Sequence, residues 1–265
     1  SGTLFLKEDR ITFDSLETNF AGGKVFMSGA GFFKNLDLDR LYVSADIMGV
    51  KIRPAEGLRA TFDGTLFYGK SPKGSNITGN IDIDKAKYEK RVVWSDWLLG
   101  LNQARGGSDW HPDGFEDADL NISIQGAENI FIQNNIARSP VSMSLNIMGT
   151  LSKPGIIGRF ESDEGVIYFR GNEFRILEGS SIDFVDPEGI VPLFHILADT
   201  YRNNYYIRLS LDGTSDNFTL SLFSDPPLPE EDILSLLTFG QLSKEAKGLE
   251  SGIAASEATA LVTGG

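Results

Sequence analysis

Apolar and polar residues alternate with a period of two through most of this chain, a pattern that half-buried strands satisfy and helices do not. Leu120-Asn-Ile-Ser-Ile124, Met143-Ser-Leu-Asn-Ile147, Ile207-Arg-Leu-Ser-Leu-Asp212 and Phe218-Thr-Leu-Ser-Leu-Phe223 each put large apolar side chains on one face. Ser, Thr, Asn, Arg or Asp takes the other. Arg10–Leu16, Lys24–Phe33, Leu38–Ile47, Ala60–Tyr68 and Ile77–Lys85 follow the same rule. So do Ile130–Ile136, Ile156–Glu161, Gly165–Arg170, Glu173–Leu177 and Ser181–Val185.

Between these segments stand Gly22-Gly23, Asp63-Gly64, Gly171-Asn172, Glu178-Gly179, Asn203-Asn204 and Asp212-Gly213, residues that tolerate positive φ in hairpin turns. Consecutive strands are therefore expected to be antiparallel neighbours. The recurring Gly64-Thr65-Leu66, Gly149-Thr150-Leu151 and Gly213-Thr214 suggest repeated units stacked in one direction. The expected fold class is all-β, an elongated, curled antiparallel sheet with a short helical insertion and a C-terminal helical tail.

Two segments break the alternation. Lys87–Gly114 carries Trp94, Trp97 and Trp110, and Val93, Trp94, Trp97, Leu98 and Leu101 fall at helical spacing, which predicts a short amphipathic helix. At the other end Pro226-Pro-Leu-Pro229 stops the last strand. Glu230-Glu-Asp232 then supplies first-turn charge, Ile233, Leu234, Leu236 and Leu237 form an apolar face, and Gly240 ends the helix. The Ala-rich stretch Lys244–Val262 is expected to fray unless something packs on it. The expected organisation is a groove domain over 1–225, with an insertion at about 87–114, and a Pro-rich stop, helix and tail over 226–265.

The chain of 265 residues has no cysteine, which removes disulfides, thiol catalysis and Cys-ligated metals. Its net charge of −13 repels phosphate backbones and excludes general nucleic-acid binding. Only His111 and His195 are present, so a His-based triad or metal site has little material, and His195 reads as structural. The many acids sit at polar steps of strands or in turns, as solvated groups. The Asp225–Asp232 cluster lacks calcium-loop spacing, and no GxGxxG, P-loop, GxSxG or HExxH motif occurs. The expectation is a non-enzymatic protein without cofactor or metal. No apolar run reaches bilayer-crossing length, and the chain opens in mid-pattern, as a fragment whose anchor would lie upstream.

Function then falls to shape. A long sheet with one continuously apolar face must pair with another sheet, pack on itself, or hold something apolar. Few helical segments exist to cover it, so an open groove filled by a lipid acyl chain stands beside a closed sandwich or barrel.

Gly149-Thr-Leu-Ser-Lys-Pro154, Gly165-Val-Ile-Tyr-Phe-Arg-Gly171, Phe174-Arg-Ile-Leu-Glu-Gly179, Ser181-Ile-Asp-Phe184, Ile190-Val-Pro192 and Ala198-Asp-Thr200 occur in order. They are followed by Ser224-Asp-Pro-Pro-Leu-Pro-Glu-Glu-Asp-Ile-Leu-Ser-Leu-Leu-Thr-Phe-Gly240. This series resembles the C-terminal conserved domain of the TamB family, related to AsmA-like lipid-transport proteins; the first 148 residues share only its character. The resemblance implies a periplasm-facing protein of a Gram-negative bacterium, anchored upstream in the inner membrane. It also implies a folded-over sheet, the β-taco, whose apolar interior carries phospholipid, and a TamA-like outer-membrane barrel partner reached by the C-terminal end.

Alternation and resemblance together select as groove-facing residues Ile122, Ile124, Met143, Leu145, Ile147, Ile167, Phe169, Phe174, Ile176, Ile182, Phe184, Ile207, Leu209, Leu211, Phe218, Leu220 and Leu222. Pro226, Pro227, Leu228, Ile233, Leu234, Leu237, Phe239 and Gly240 are the candidate partner-binding residues. The alternative is an interaction module that offers a free sheet edge to nascent outer-membrane proteins or to the barrel partner, aiding barrel assembly or secretion.

Overall fold

The computed structural model describes residues 2–7, 9–35, 37–92, 117–214 and 217–243. They form one 17-stranded, curled, mostly antiparallel sheet. The first part is a meander of long strands: β1 (Thr3–Lys7), β2 (Arg10–Phe20), β3 (Gly23–Lys34), β4 (Asp37–Ala55), β5 (Leu58–Ser71) and β6 (Gly74–Tyr88). Each pairs antiparallel with the next.

Beyond β6 the strands come as broken collinear pairs. β7 (Asp119–Gly126) and β8 (Ile130–Gln133) both run parallel to β6. β9 (Ala137–Pro140) and β10 (Ser142–Thr150) return along them, then β11 (Pro154–Ser162) and β12 (Val166–Phe169), then β13 (Asn172–Ile176) and β14 (Ser180–Phe184). β15 (Pro192–Arg202), β16 (Tyr205–Thr214) and β17 (Phe218–Asp225) complete the sheet. One helix follows, α1 (Glu230–Phe239), closed by Gly240 in the left-handed region with φ 75°, as the Pro-stop and Gly signals predict.

Three expectations need correction. β6 and β7 are parallel, so consecutive strands are not always antiparallel neighbours. Parallel pairing requires a returning connection, and that connection is residues 89–118. Asp63-Gly64 lies inside β5 and Asp212-Gly213 inside β16, so neither is a turn. Glu178-Gly179 joins the collinear β13 and β14, a break in one strand line and not a hairpin. The Gly-Thr recurrence is not a structural repeat, since Gly64 is mid-strand whereas Gly149 and Gly213 sit near strand ends. β1 and β9 were not expected from the alternation. The helix predicted around Trp94 and the tail Lys244–Val262 lie outside the described residues.

Among the described residues all the strands belong to one sheet, and β1 and β17 are not hydrogen-bonded to each other. Among the described strands the sheet is therefore not a closed barrel.

Candidate functional site

Cross-strand register carries the apolar steps of one strand onto those of the next. Leu4 lies opposite Phe13, Phe13 opposite Gly29, and Gly29 opposite Val43. Ala45 faces Leu66, Leu66 faces Gly79, Gly79 faces Ile122, Ile122 faces Ile147 and Ile147 faces Ile156. A second line runs Met143, Phe160, Ile182, Phe194, Gly213 and Phe218. Slipping any strand by one residue would break the line, so the continuous face is a property of the whole register.

Bulges protect it. In β4 the steps from Ile47 to Val50 oppose the shorter span Gly64 to Phe62. Gly49 takes up the extra residue at φ 62° and its N–H donates to Asp63 Oδ1 at 2.5 Å. Val50 is thereby kept on the apolar face, buried beside Phe62. Without the bulge a Gly would point inward and Val outward.

Glycines let the sheet curl. A Cβ on Gly79 would lie 2.1 Å from the Thr65 carbonyl oxygen, and one on Gly158 2.2 Å from that of Ser144. Both φ values are positive, 154° and 135°, so these sites suit Gly for space and for conformation. Leu66 and Phe184 stand opposite them across the strands, and the Leu66 side chain reaches the space beside Gly79.

The resulting trough has two kinds of floor. Ile122, Ile124, Met143, Leu145, Ile147, Ile182, Phe184 and Phe218 are only half-buried, and Leu220 is exposed. Towards β1 the floor opens further, with Leu4 64% and Leu6 71% exposed. At the far end Phe174, Ala198, Ile207, Leu209 and Leu222 are fully covered, because Ile233, Leu236 and Leu237 of α1 sit on them. Ile167, Phe169 and Leu211 flank that cluster, and Ile176 is buried close by. Sequence reasoning selected the floor residues from Ile122 to Leu222, Ala198 apart, as one face but did not separate open floor from covered floor, and it left out Leu4 and Leu6. It also left out Phe13, Val43, Leu66 and Ile81, which extend the same face through β2–β6; their alternation was the available signal.

Of the candidate partner-binding residues, Ile233 and Leu237 are buried inward, Leu228 and Leu234 pack against the same cluster, and Gly240 caps the helix. Pro226, Pro227 and Phe239 are exposed.

The opposite face is a polar ladder. Arg159 pairs with Asp183 and with Glu161 at 3.1 Å, Arg175 grips buried Asp199 at 3.0 and 3.2 Å, and the Tyr206 hydroxyl also donates to Asp199. His195 Nδ1 lies 2.6 Å from Asp212 Oδ1, so His195 is part of this ladder. Burial pushes the Asp183 carboxyl up, but hydrogen bonds from Arg159 and Ser181 outweigh it and hold it below its ordinary value. The Ser210 hydroxyl, against some desolvation and with help from His195, holds Asp212 down. A polar cavity of about 550 Å³ on this face is lined by Thr78, Asn121, Ser123, Gln125, Ser144 and Asn146.

No helix among the described residues is long and apolar enough to cross a membrane. The chain matches the family model of the TamB C-terminal domain over residues 14–265. The chain therefore belongs to the TamB family, and with it to the machinery of outer-membrane biogenesis in the Gram-negative envelope.

Proposed function

We propose that this TamB C-terminal domain is a non-enzymatic conduit in the periplasm, in which phospholipid acyl chains lie in the trough and slide along it between inner and outer membranes. The observation that carries the reading is the apolar face itself, continuous by register from β1 to β17 and, among the described residues, only half-buried along much of its length. A half-buried apolar face of that extent favours an apolar occupant, at about 0.8 kcal/mol per buried CH₂. An even floor keeps sliding barriers low, because each displaced methylene meets another aliphatic or aromatic wall. The polar ladder keeps the outer face in water.

The test is native mass spectrometry with lipid extraction on the chain expressed in a double-membraned bacterial host, beside Leu66→Asp and Leu145→Asp. Phospholipid on the parent and none on the folded variants is the expected result, since a charge on an apolar floor is costly to bury. Equal lipid on all three overturns the conduit. Leu209→Arg would not serve, because Leu209 is 3% exposed beneath α1 and its replacement perturbs folding first.

A second reading is favoured by the open ends of the sheet. Among the described residues, β17 and β1 each leave one hydrogen-bonding edge unpaired. Such edges template strand addition, and a TamA-like barrel protein or a nascent outer-membrane protein would be the added strand. Single prolines stepped through Phe218–Asp225 that spare lipid occupancy yet abolish capture of the barrel partner's periplasmic domains would favour this reading.

A further inference from the structure

At the far end of the trough the floor is closed by α1, and the helix is held there lightly. It has ten residues and no side-chain N-cap, a length at which a helix alone in water is marginal. It hangs from β17 by Pro226-Pro227-Leu228-Pro229, fastened through Ser224 Oγ, which donates to the Pro226 carbonyl at 2.9 Å and accepts from Leu228 N–H at 2.9 Å. At its far end two strand turns reach up to it. Asn172 Nδ2 donates to the Leu237 carbonyl at 2.7 Å and Asn203 Nδ2 to the Gly240 carbonyl at 2.7 Å.

Beneath it lie Phe174, Ile207, Leu209 and Leu222, a floor of the same chemistry as the open trough and continuous with it. Three aliphatic side chains of α1 offer that floor what an acyl chain would offer. Exchanging one for the other is nearly neutral in apolar burial, so the balance rests on the tether and the polar ties, of which the two asparagines are the short ones from the strand turns and Arg170 Nη1 to Thr238 Oγ1, at 3.5 Å, the long one.

We infer that α1 is a displaceable plug: the floor under it is an acyl-chain site that the chain's own helix fills in the absence of lipid, and helix and acyl chain exclude one another. This inference rests on the conduit reading and adds to it a gated end. The proline tether keeps the displaced helix attached for return.

The test is hydrogen exchange read by mass spectrometry on the amides of Glu230–Phe239. The lipid-free chain is compared with the same chain after incubation with vesicles of phosphatidylethanolamine and phosphatidylglycerol. Lipid uptake should speed exchange of these amides by about tenfold while the strands stay protected. The double variant Asn172→Ala/Asn203→Gly, with Gly keeping the positive φ of residue 203, should show about tenfold faster helix exchange before lipid is added, and greater uptake. Uptake with the helix as protected as in the lipid-free chain overturns the plug and leaves the conduit standing. A folded double variant that exchanges and loads like the parent overturns the asparagine latch and the plug with it. No uptake by either form sinks the conduit and the plug together; should the double variant fail to fold, the parent chain decides alone.

Discussion

The meander β2–β6 and the end formed by β12–β17 with α1 are built from the same alternation, yet one carries an open floor and the other a sealed core. In the meander the trough-facing side chains are mostly half-buried, and Val50 and Phe62 are the buried hydrophobics of β4 and β5. At the far end Phe174, Ala198 and Ile207 are 0% exposed. The strands do not differ in pattern; what differs is that a ten-residue helix returns over one of them. Among the described residues, alternation in the meander thus leaves a mostly half-buried apolar face, and the full closure of the far end is added by the helix.

That contrast breaks most easily by one kind of substitution made in both regions. Ile233→Asp places a carboxylate in the sealed cluster and should cost about 3–5 kcal/mol, read as a lower urea midpoint. Leu66→Asp on the open floor should cost under about 1 kcal/mol in the same titration while removing bound lipid. Equal costs would mean that the open floor is covered after all.

A smaller effect concerns curvature, which both regions share. Gly158→Val adds a side chain against the Ser144 carbonyl at a positive φ and should lower stability by about 2–4 kcal/mol. Gly74→Ala, where a Cβ meets nothing within 4 Å, should cost about 1 kcal/mol or less, from its positive φ alone. Similar losses would mean that the close approach of β10 and β11 does not set the curl.

On the polar face of the sealed end, Arg175→Met leaves buried Asp199 with the Tyr206 hydroxyl and without its guanidinium, and should cost about 1–2 kcal/mol. The smallest effect is acid sensitivity. Asp183 and Asp212 are held below their ordinary value of 3.8, so they bind protons less readily folded than unfolded. Their contribution is fully present above that pH and is lost as pH falls below it. Stability of the β14–β16 region should therefore decline below about pH 4 in a parent chain and less steeply in Asp183→Asn/Asp212→Asn.

Most strands were legible because alternation is local: two residues apart means the same face, whatever the partner. The helix was legible from Pro229, the acidic first turn and Gly240, each acting within a few bonds. The groove residues from Ile122 to Leu222 shared a face for the same reason. β1 was missed because five exposed residues give too short a pattern, and the parallel step at β6–β7 because pairing direction is set by where a connection lands.

The sequence by itself determined that the chain makes strands, which side chains share a face on each, and where the sheet stops and a helix begins. Only the tertiary structure decided that these faces join into one unbroken floor, since that requires bulges such as the one at Gly49 to restore register between strands of unequal span. It also decided that Ile233, Leu236 and Leu237 close one end of the floor. Periodicity fixes the direction in which a side chain points; what it meets there depends on residues far away in the chain.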